Sequence, residues 1–350
     1  MSAPAIEFRH VFAEIANDTG PSPRMIREAL DAILAGAWTP VQVAGFAIAL
    51  RMRGEEADTI AAAAQTLCAH MIEVDHGLPV VVDTCGTGGD GLGTINLSTA
   101  AAFVVAATGL PVAKHGGRSV SSRSGSADVI EALGIPIDIP PERQASVLRS
   151  AGMAFLFAPT HHPALRHSQS ARRELAVRTI FNAIGPLANP ARATHRLLGS
   201  YDDALRPVLA QVLAQLGVRR AWVVRGEDGL DEVSPFGPTR ISELADGKLR
   251  ERIIRPETFG LEPSRPGAID GGSAVDNANV IRAVLEGQPH PARDAVILNA
   301  AAALAVCREV DDEESFPSLA AVAARAIDSK QALRKLETLR MTTTIMRSAA

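Results

Sequence analysis

Cysteine is scarce in this chain of 350 residues, which contains only Cys68, Cys85 and Cys307. An odd number of widely separated cysteines does not make a disulfide framework, and it is typical of a protein whose thiols stay reduced. The N-terminus has neither the basic nor the apolar region of a signal peptide. We therefore expect a cytoplasmic protein.

Strong charge and long apolar runs are also missing. The net charge is -4, so the chain lacks the basic surface on which a general nucleic-acid binder depends. The apolar runs at 100–110 and 295–306 are too short or too interrupted to span a bilayer. The sequence thus predicts no nucleic-acid partner and no membrane partner, and any anion site must be local.

Several catalytic motifs are absent as well. No lysine follows the glycines at 86–91 until Lys114, which excludes the P-loop pattern. His161, His162 and His167 do not have the spacing of a zinc site, because neighbouring histidines point apart and no cysteine joins them. The nucleophile pattern G-x-S-x-G is not present either.

The arrangement of apolar residues changes near residue 79. Helical spacing at 24–34, 40–52 and 57–71 predicts helices only, whereas the later chain alternates helices with strand-like runs. These runs lie at 79–83, 111–113, 153–157, 195–199 and 221–225. A long helical pattern at 162–178 interrupts the alternation, a hairpin is expected at 243–254 through Asp246-Gly247, and 274–338 is mostly helical.

This pattern predicts an α/β protein with two domains. A small, discontinuous all-helical domain would comprise 1–75 and approximately 163–193. A larger α/β domain would comprise 78–160 and 194–350, with a mainly parallel central sheet flanked by helices.

A glycine-rich loop follows the first strand-like run. Four glycines lie within six residues, at Gly86, Gly88, Gly89 and Gly91, and 96–99 offers cap residues to the next helix. Such a loop before a helix N-terminus favours a phosphate site. The spacing also fits the dinucleotide fingerprint, but no acidic residue occurs between Asp90 and Asp128 to bind a ribose, which disfavours that alternative.

Two further loops carry chemistry. The segment 114–128 combines a lysine, a histidine, arginines, glycines and serines, which suits a polyanion, although a solvated loop is the alternative. The segment 226–233 places Asp231 and Glu232 among glycines, as a Mg²⁺ site that also uses substrate phosphate oxygens would require. Arg172, Arg173 and Arg178 lie on the predicted long helix, where a solvated face is the alternative.

Taken together, these motifs resemble those of the anthranilate phosphoribosyltransferase family, over nearly the whole chain. The matching segments are Gly86-Thr87-Gly88-Gly89-Asp90-Gly91, Asn96-Leu97-Ser98-Thr99, Lys114-His115-Gly116 through Ser126-Ala127-Asp128, Arg178-Thr179-Ile180-Phe181-Asn182 through Asn189-Pro190, Gly226-Glu227-Asp228-Gly229-Leu230-Asp231-Glu232, and Gly271-Gly272 with Asn277-Ala278.

The resemblance implies transfer of 5-phosphoribose from phosphoribosyl pyrophosphate (PRPP) to the amine of anthranilate, with release of pyrophosphate. It also implies two Mg²⁺ ions per active site and a homodimer formed through the helical domains. PRPP would be bound by Gly86, Gly89, Asp90, Thr94, Asn96, Leu97, Ser98, Thr99, Lys114, Ser122 and Ser126. Magnesium would be held by Ser98, Asp231 and Glu232, and anthranilate would contact Gly86, Gly117 and Arg172.

The chain departs from the family pattern on the acceptor side. Gly117 replaces the asparagine expected to contact anthranilate, Gln169-Ser170-Ala171-Arg172 replaces Ala-Pro-Val-Arg, and Ala176 replaces a glycine. Either anthranilate is bound with fewer hydrogen bonds, or a larger aromatic amine is accepted. Arg172 suits a carboxylate and favours anthranilate.

Two other interpretations remain open at this point. A pyrimidine nucleoside phosphorylase shares the architecture but has a longer chain, and a non-catalytic nucleic-acid binder would not need the Asp231-Glu232 pair. An aromatic amine is neutral at pH 7, so we expect no indispensable catalytic histidine, and we assign positioning roles to His115 and Lys114. Cys85, beside the glycine loop, is expected to be a buried thiol.

Overall fold

The computed structural model describes residues 6–119 and 123–348. Its first part is helical, as the apolar spacing predicts. Ser22 and Thr39 cap two of these helices through their side chains, and a proline follows each cap at the first helical position. The helices are α1 (Phe8–Ala16), α2 (Pro23–Leu34), α3 (Pro40–Arg53) and α4 (Ala57–His70).

Seven strands of the described chain form one sheet, in the order β3-β2-β1-β4-β5-β6-β7. The pairs among the first five are parallel, and β6 and β7 are antiparallel additions at one edge. The strands are β1 (Val82–Gly86), β2 (Val112–Gly116), β3 (Met153–Phe157), β4 (His195–Gly199), β5 (Arg220–Gly226), β6 (Thr239–Ala245) and β7 (Lys248–Ile254). The predicted fold class and the hairpin at Asp246-Gly247 are confirmed.

Helices cover both faces of the sheet. Along β5, Trp222 and Val224 belong to one hydrophobic core, and Ala221 and Val223 belong to the other, as strand alternation requires. The remaining helices are α5 (Leu97–Ala107), α6 (Ser126–Ala132), α7 (Pro141–Ala151), α8 (Ala158–His161), α9 (Gln169–Leu175), α10 (Ile180–Leu187), α11 (Leu205–Gln215), α12 (Ala274–Leu285), α13 (Arg293–Cys307), α14 (Phe316–Asp328) and α15 (Gln331–Ser348).

The N-terminal helices share one core with later elements. That core joins α1–α4 to α10, α11 and one face of the sheet. Within it, α10 packs against α4, and α9 packs against α3. This packing agrees with a helical unit built from two stretches of chain, although the predicted domain bounds stay a prediction. No helix in the described residues is long and apolar enough to cross a membrane.

Two sequence-based boundaries were wrong for the same reason. The first strand was predicted at 79–83 and the second at 111–113, but β1 continues to Gly86 and β2 to Gly116. Both strands run through buried polar residues that have partners inside the protein. Asp83 pairs with Arg196, and the Thr84 hydroxyl donates to the Ser98 carbonyl. A polarity rule ends a strand at such residues, whereas satisfied polar groups allow it to continue.

The single helix predicted at 162–178 was also wrong. Pro163–Ser168 forms a 3-10 helix, α9 follows it, and Ala176 ends α9 with φ of 50°. That left-handed conformation costs a non-glycine residue roughly 1–2 kcal/mol, and it is the position at which the family has glycine. The chain then turns and begins α10 after Thr179, whose N–H donates to Asn182 Oδ1 at 3.1 Å.

Candidate active site

A cavity of about 400 Å³ lies at the carboxyl ends of the parallel strands. β1 has β2 on one side and β4 on the other, so the chain reverses its direction of progress along the sheet between β1 and β4. Ligands of α/β sheets bind outside such a switch point. The sheet order therefore places a site where the glycine loop begins.

Two glycines form a notch at this point. Gly86 and Gly199 are partners in the β1–β4 register, and both end their strands. The Asp231 loop fills the notch, because a Cβ on Gly199 would lie 1.6 Å from the Asp231 carbonyl oxygen and a Cβ on Gly86 would lie 2.7 Å from Asp231 Oδ2. The absence of two side chains thus brings a carboxylate into the switch point.

Asp231 and Glu232 are held by backbone donors on neighbouring elements. Gly88 N–H donates to Asp231 Oδ2 at 2.8 Å, and Ser98 N–H donates to Glu232 Oε1 at 3.1 Å. Burial raises the pKa of both carboxyls, and the adjacent charges, Asp90 for Asp231 and Asp231 for Glu232, raise each pKa further. A bound cation would reduce the repulsion between these two crowded, partly buried carboxylates.

Lys114 places a positively charged side chain next to Ser98 and Glu232. Its ammonium group is buried and donates to the Thr84 carbonyl and, at 3.1 Å, to Ser98 Oγ. Burial lowers the pKa of Lys114, while the nearby Asp83 and Glu232 carboxylates act in the opposite direction. The lysine is therefore held rigidly, at the start of the second loop.

The donor set fits Mg²⁺ on chemical grounds. Carboxylate and hydroxyl oxygens of Asp231, Glu232 and Ser98 are hard ligands, and Mg²⁺ commonly uses one or two carboxylates with substrate phosphates. In the described part of the chain, no three His, Cys, Asp or Glu side chains group as a complete metal site. Oxygens from a substrate would have to complete the coordination.

Asp128 organises the second loop. Its carboxylate accepts from the backbone N–H groups of Ser119 and Gly125 and pairs with Arg118 at 2.9 Å. Burial acts to raise the pKa of Asp128, but these hydrogen bonds outweigh it and lower the pKa. The carboxylate therefore stays ionised and closes the loop over its own helix N-terminus.

Asn96 joins the two loops instead of capping α5. Its side chain forms no capping hydrogen bond, and its Nδ2 donates to the Ser124 carbonyl at 3.3 Å. Its Oδ1 accepts from Asn277 Nδ2 at 2.9 Å. The predicted capping role is thus wrong for the Asn96 side chain. This side chain instead connects its own segment to those of Ser124 and Asn277.

The part of the cavity around Arg172, where the resemblance predicts the acceptor, is more apolar than the part around Asp231 and Glu232. Ala158, Leu165, Phe181 and His162 line it, and the Arg172 guanidinium lies 5.8 Å from the centre of the Phe181 ring. Burial lowers the pKa of Arg172, and within the described residues no carboxylate pairs with it. An unpaired, half-buried guanidinium beside an aromatic ring suits an aromatic carboxylate.

Gly117 leaves open space on that side. Among the described residues, a Cβ at this position would meet only the Ala158 Cβ, at 3.9 Å, and the backbone is not left-handed. A side chain would fit there without a steric conflict. Gly117 therefore leaves more room at this position than the asparagine of the family pattern would.

His115 is buried against His162, with ring centres 5.1 Å apart. Its backbone N–H donates to Asp83, and its Nε2 has no hydrogen-bond partner among the described atoms. Burial, together with nearby positive groups, lowers the pKa of His115 well below its usual value. The imidazole is therefore neutral at physiological pH.

The cavity brings most of the predicted residues together. The lining includes Gly86, Gly89, Asp90, Thr94, Asn96, Ser98, Lys114, His115, Gly117, Ser126, Arg172, Asp231 and Glu232. Leu97 and Thr99 are fully buried and do not line it. Ser122 lies outside the described residues. The binding roles of all these residues stay predictions.

Among the lining residues that the sequence did not predict as site residues are His162, Arg178 and Asn277. His162 was considered only as a zinc ligand. Arg178 was considered as part of a helix face and of a matching motif, and Asn277 as part of a matching motif, but neither was assigned a site role. The Asn-containing motif was a usable signal for Asn277. No local pattern distinguishes Arg178 from the exposed Arg173, because the Ala176 turn decides where Arg178 lies.

Cys85 is buried, as expected. Its Sγ accepts from Arg196 Nη2 at 3.3 Å, and burial raises the pKa of the thiol to about 12. A protonated, buried thiol is not a reactive nucleophile. Cys85 therefore serves as a small core residue beneath the glycine loop.

Comparison with known proteins places this geometry in a family. The model of the glycosyl transferase family helical bundle domain matches residues 10–71, and the model of the family's a/b domain matches residues 78–333. The anthranilate phosphoribosyltransferase of Moorella thermoacetica is 49% identical over 312 residues, covering 89% of this chain and 91% of the relative. That of Thermomicrobium roseum is 50% identical over 318 residues, 90% of each.

Solved structures agree. The crystal structure of anthranilate phosphoribosyltransferase from Thermus thermophilus has a TM-score of 0.88 and 37% identity, covering 96% of this chain and 99% of that one. The Saccharomyces cerevisiae enzyme in complex with PRPP and Mg has a TM-score of 0.88 and 29% identity, with 96% and 98% covered. With both domains matched and similar relatives along most of its length, this chain belongs to the anthranilate phosphoribosyltransferase family.

Proposed function

We propose that this protein transfers 5-phosphoribose from PRPP to the amine of anthranilate, giving N-(5-phosphoribosyl)anthranilate and pyrophosphate, the second step of tryptophan biosynthesis from chorismate. The observation that carries this proposal is the partly buried Asp231-Glu232 pair beside Lys114, in one cavity with Arg172, which pairs with no carboxylate of the described residues. One half of the cavity suits a metal-bound pyrophosphate and the other half suits an aromatic acid.

The phosphate half would act on the leaving group. Breaking the bond between ribose C1 and pyrophosphate puts positive charge on the sugar and negative charge on the departing oxygen. Mg²⁺, when bound, neutralises that negative charge. Ser98, Asp231 and Glu232 would hold two ions, while Lys114 and the glycine loop would offer donors already fixed in place.

The acceptor half would orient the amine. Arg172 would bind the carboxylate, and the apolar residues around Phe181 would pack against the ring. An aromatic amine is neutral at pH 7, so its lone pair can attack C1 once it is held in line, and correct positioning is the main contribution of the protein. Gly86 and Gly117 would lie next to the acceptor.

Formation of phosphoribosyl-anthranilate tests the function directly. Loss of anthranilate fluorescence in the presence of PRPP and Mg²⁺ is the expected signal. Phosphorolysis of thymidine or uridine without that signal would instead identify a pyrimidine nucleoside phosphorylase. If a ring-substituted anthranilate has a higher kcat/KM than anthranilate, the acceptor is a larger aromatic amine. The space at Gly117 is the reason for this test. The Saccharomyces cerevisiae relative has been solved in complex with 4-fluoroanthranilate.

Replacing His115 with alanine should leave a working enzyme. The imidazole is neutral and buried, and the reaction needs no strong base, so we expect a change in KM rather than loss of kcat. Steady-state kinetics for both substrates provide the measurement. A variant with abolished activity and unchanged substrate affinities would show that His115 is a catalytic base.

Replacing Gly117 with asparagine should strengthen anthranilate binding. The Cβ has room, and the amide would restore a hydrogen bond worth about 0.5–1.5 kcal/mol, which corresponds to a KM lower by roughly 2–10-fold. Gly117→Ala is the matched control, because it fills space without adding an amide. An unchanged or raised KM for Gly117→Asn would contradict the acceptor assignment.

We also propose a homodimer formed through the helical domains, each made of 1–75 and approximately 163–193. Support comes from apolar side chains that the helical unit leaves exposed. Val41 and Met52 on α3 are 80% and 81% exposed, and Phe12 on α1 is 45% exposed. Packing against a second copy would remove this apolar surface from water.

A further inference from the structure

The Arg178 guanidinium is enclosed between an aromatic ring and the glycine loop. It lies 4.2 Å from the centre of the Tyr201 ring. On the loop side, a Cβ on Gly89 would lie 3.1 Å from Arg178 Nη2 and 3.3 Å from its Nε. The guanidinium therefore occupies the space next to Gly89 that a side chain would need.

The ring beneath Arg178 is fastened to the same loop. Tyr201 N–H donates to Thr87 Oγ1 at 2.9 Å, and Thr87 N–H donates to the Gly199 carbonyl at 2.9 Å. Tyr201 and Thr87 are thus linked by hydrogen bonds at the ends of β1 and β4, two residues before Gly89. Because Arg178 is held against the Tyr201 ring, its position follows that of the glycine loop.

The charge of Arg178 is not neutralised by the protein. Within the described residues, no carboxylate pairs with it and no acceptor takes a hydrogen bond from it. It also lines the cavity, together with Gly88, Gly89 and Asp90. A cation fixed by stacking, with free N–H groups facing a cavity, is suited to bind an anion in two contacts.

We propose that Arg178 is a positioning residue for the pyrophosphate group, which it binds beside Gly89 of the glycine loop. This inference rests on the proposed function. Pyrophosphate is favoured over the acceptor carboxylate because Arg178 contacts Gly89, whose neighbour Gly88 donates to Asp231. Arg172, beside Phe181, remains the partner of the acceptor.

The test measures pyrophosphate separately from turnover. Titration calorimetry with magnesium pyrophosphate should give a Kd at least about 10-fold higher for Arg178→Gln, because a charge-assisted bidentate contact is lost. The KM for PRPP should rise by a similar factor, and the KM for anthranilate should stay within about 2-fold of the parent value. Arg178→Lys keeps the charge but loses the planar stacking. Its Kd for magnesium pyrophosphate should lie between those of the parent and of Arg178→Gln.

Two further variants locate the effect. Tyr201→Leu removes the ring under the guanidinium and should weaken pyrophosphate binding less than Arg178→Gln does. Arg173→Gln changes an exposed arginine on α9 and should match the parent in every measurement. Melting temperatures within a few degrees of the parent establish that each variant is folded.

Unchanged pyrophosphate affinity in both Arg178 variants would overturn the proposal. A rise confined to the KM for anthranilate would overturn it too, and would assign Arg178 to the acceptor. If the parent protein binds magnesium pyrophosphate through Arg178 but forms no phosphoribosyl-anthranilate, the proposed function fails while the positioning role stands.

Discussion

Replacement of Glu232 with glutamine is expected to lower kcat for phosphoribosyl-anthranilate formation by at least about 100-fold, because a metal that neutralises a leaving group contributes several kcal/mol to the transition state. Glutamine keeps an oxygen that can accept from Ser98 N–H, so the geometry of the loop should persist. The missing charge weakens only the hold on the cation. Steady-state kinetics across a Mg²⁺ titration provide the measurement.

The same variant should not be destabilised when Mg²⁺ is absent. Burial and the adjacent Asp231 raise the pKa of Glu232, so the ionised carboxylate disfavours the folded state above its pKa in the unfolded chain. Removing it should leave the melting temperature equal or higher. Glu227→Gln, at an exposed carboxylate on the same loop, is the control and should retain parent kinetics. Retention of more than about a tenth of kcat by Glu232→Gln would contradict the metal assignment, since the expected loss is about 100-fold or more.

Replacement of Arg196 with alanine is expected to have the largest effect on stability. Arg196 Nη2 pairs with Asp83 Oδ2 at 2.8 Å, and both side chains are almost fully buried. Arg196 also donates to the Leu187 carbonyl at 2.9 Å and to the Pro186 carbonyl. Its loss leaves a buried, unpaired carboxylate and two carbonyls without donors, so the free energy of unfolding should fall by about 3–5 kcal/mol. Urea unfolding provides the measurement.

Two further variants test whether the loss of stability in Arg196→Ala comes from the buried ion pair. Arg192→Ala removes an exposed pair with Glu73 at 3.2 Å and should cost at most about 1 kcal/mol. The double variant Arg196→Met with Asp83→Asn removes both charges, and should be more stable than Arg196→Ala alone. If the double variant is no better, the cost does not come from the stranded carboxylate.

The strands and the phosphate loop were predictable because their signals are local. Apolar β-branched runs identify strands, and four glycines within six residues have few structural uses other than close approach of backbone to a ligand. The limits of β1 and β2 were not predictable in the same way. Asp83, Lys114 and Arg196 are buried together only in the fold, and a sequence does not reveal which charged residues will pair.

The segment that contains Arg172 and Arg178 was harder to predict than the strands, because its course depends on tertiary structure. The helical period at 162–178 is real, yet a left-handed Ala176 divides the segment and moves Arg178 away from Arg172. Periodicity describes a helix face and contains no information on such a turn. The sequence comparison with the family pattern nevertheless identified Gly117, because an absent side chain is visible in sequence wherever the family pattern is known.

Gly199 has a consequence for how this site tolerates mutation. It does not line the cavity, and yet any side chain there would overlap the backbone of Asp231. A saturation-mutagenesis survey scored on growth without tryptophan would therefore rank it with the substrate-contacting residues. The same constraint matters for inhibitors, because Gly199 cannot mutate to give resistance. Resistance should therefore arise less readily against compounds that depend on the shape of the β1–β4 crevice than against compounds that depend on Gly117.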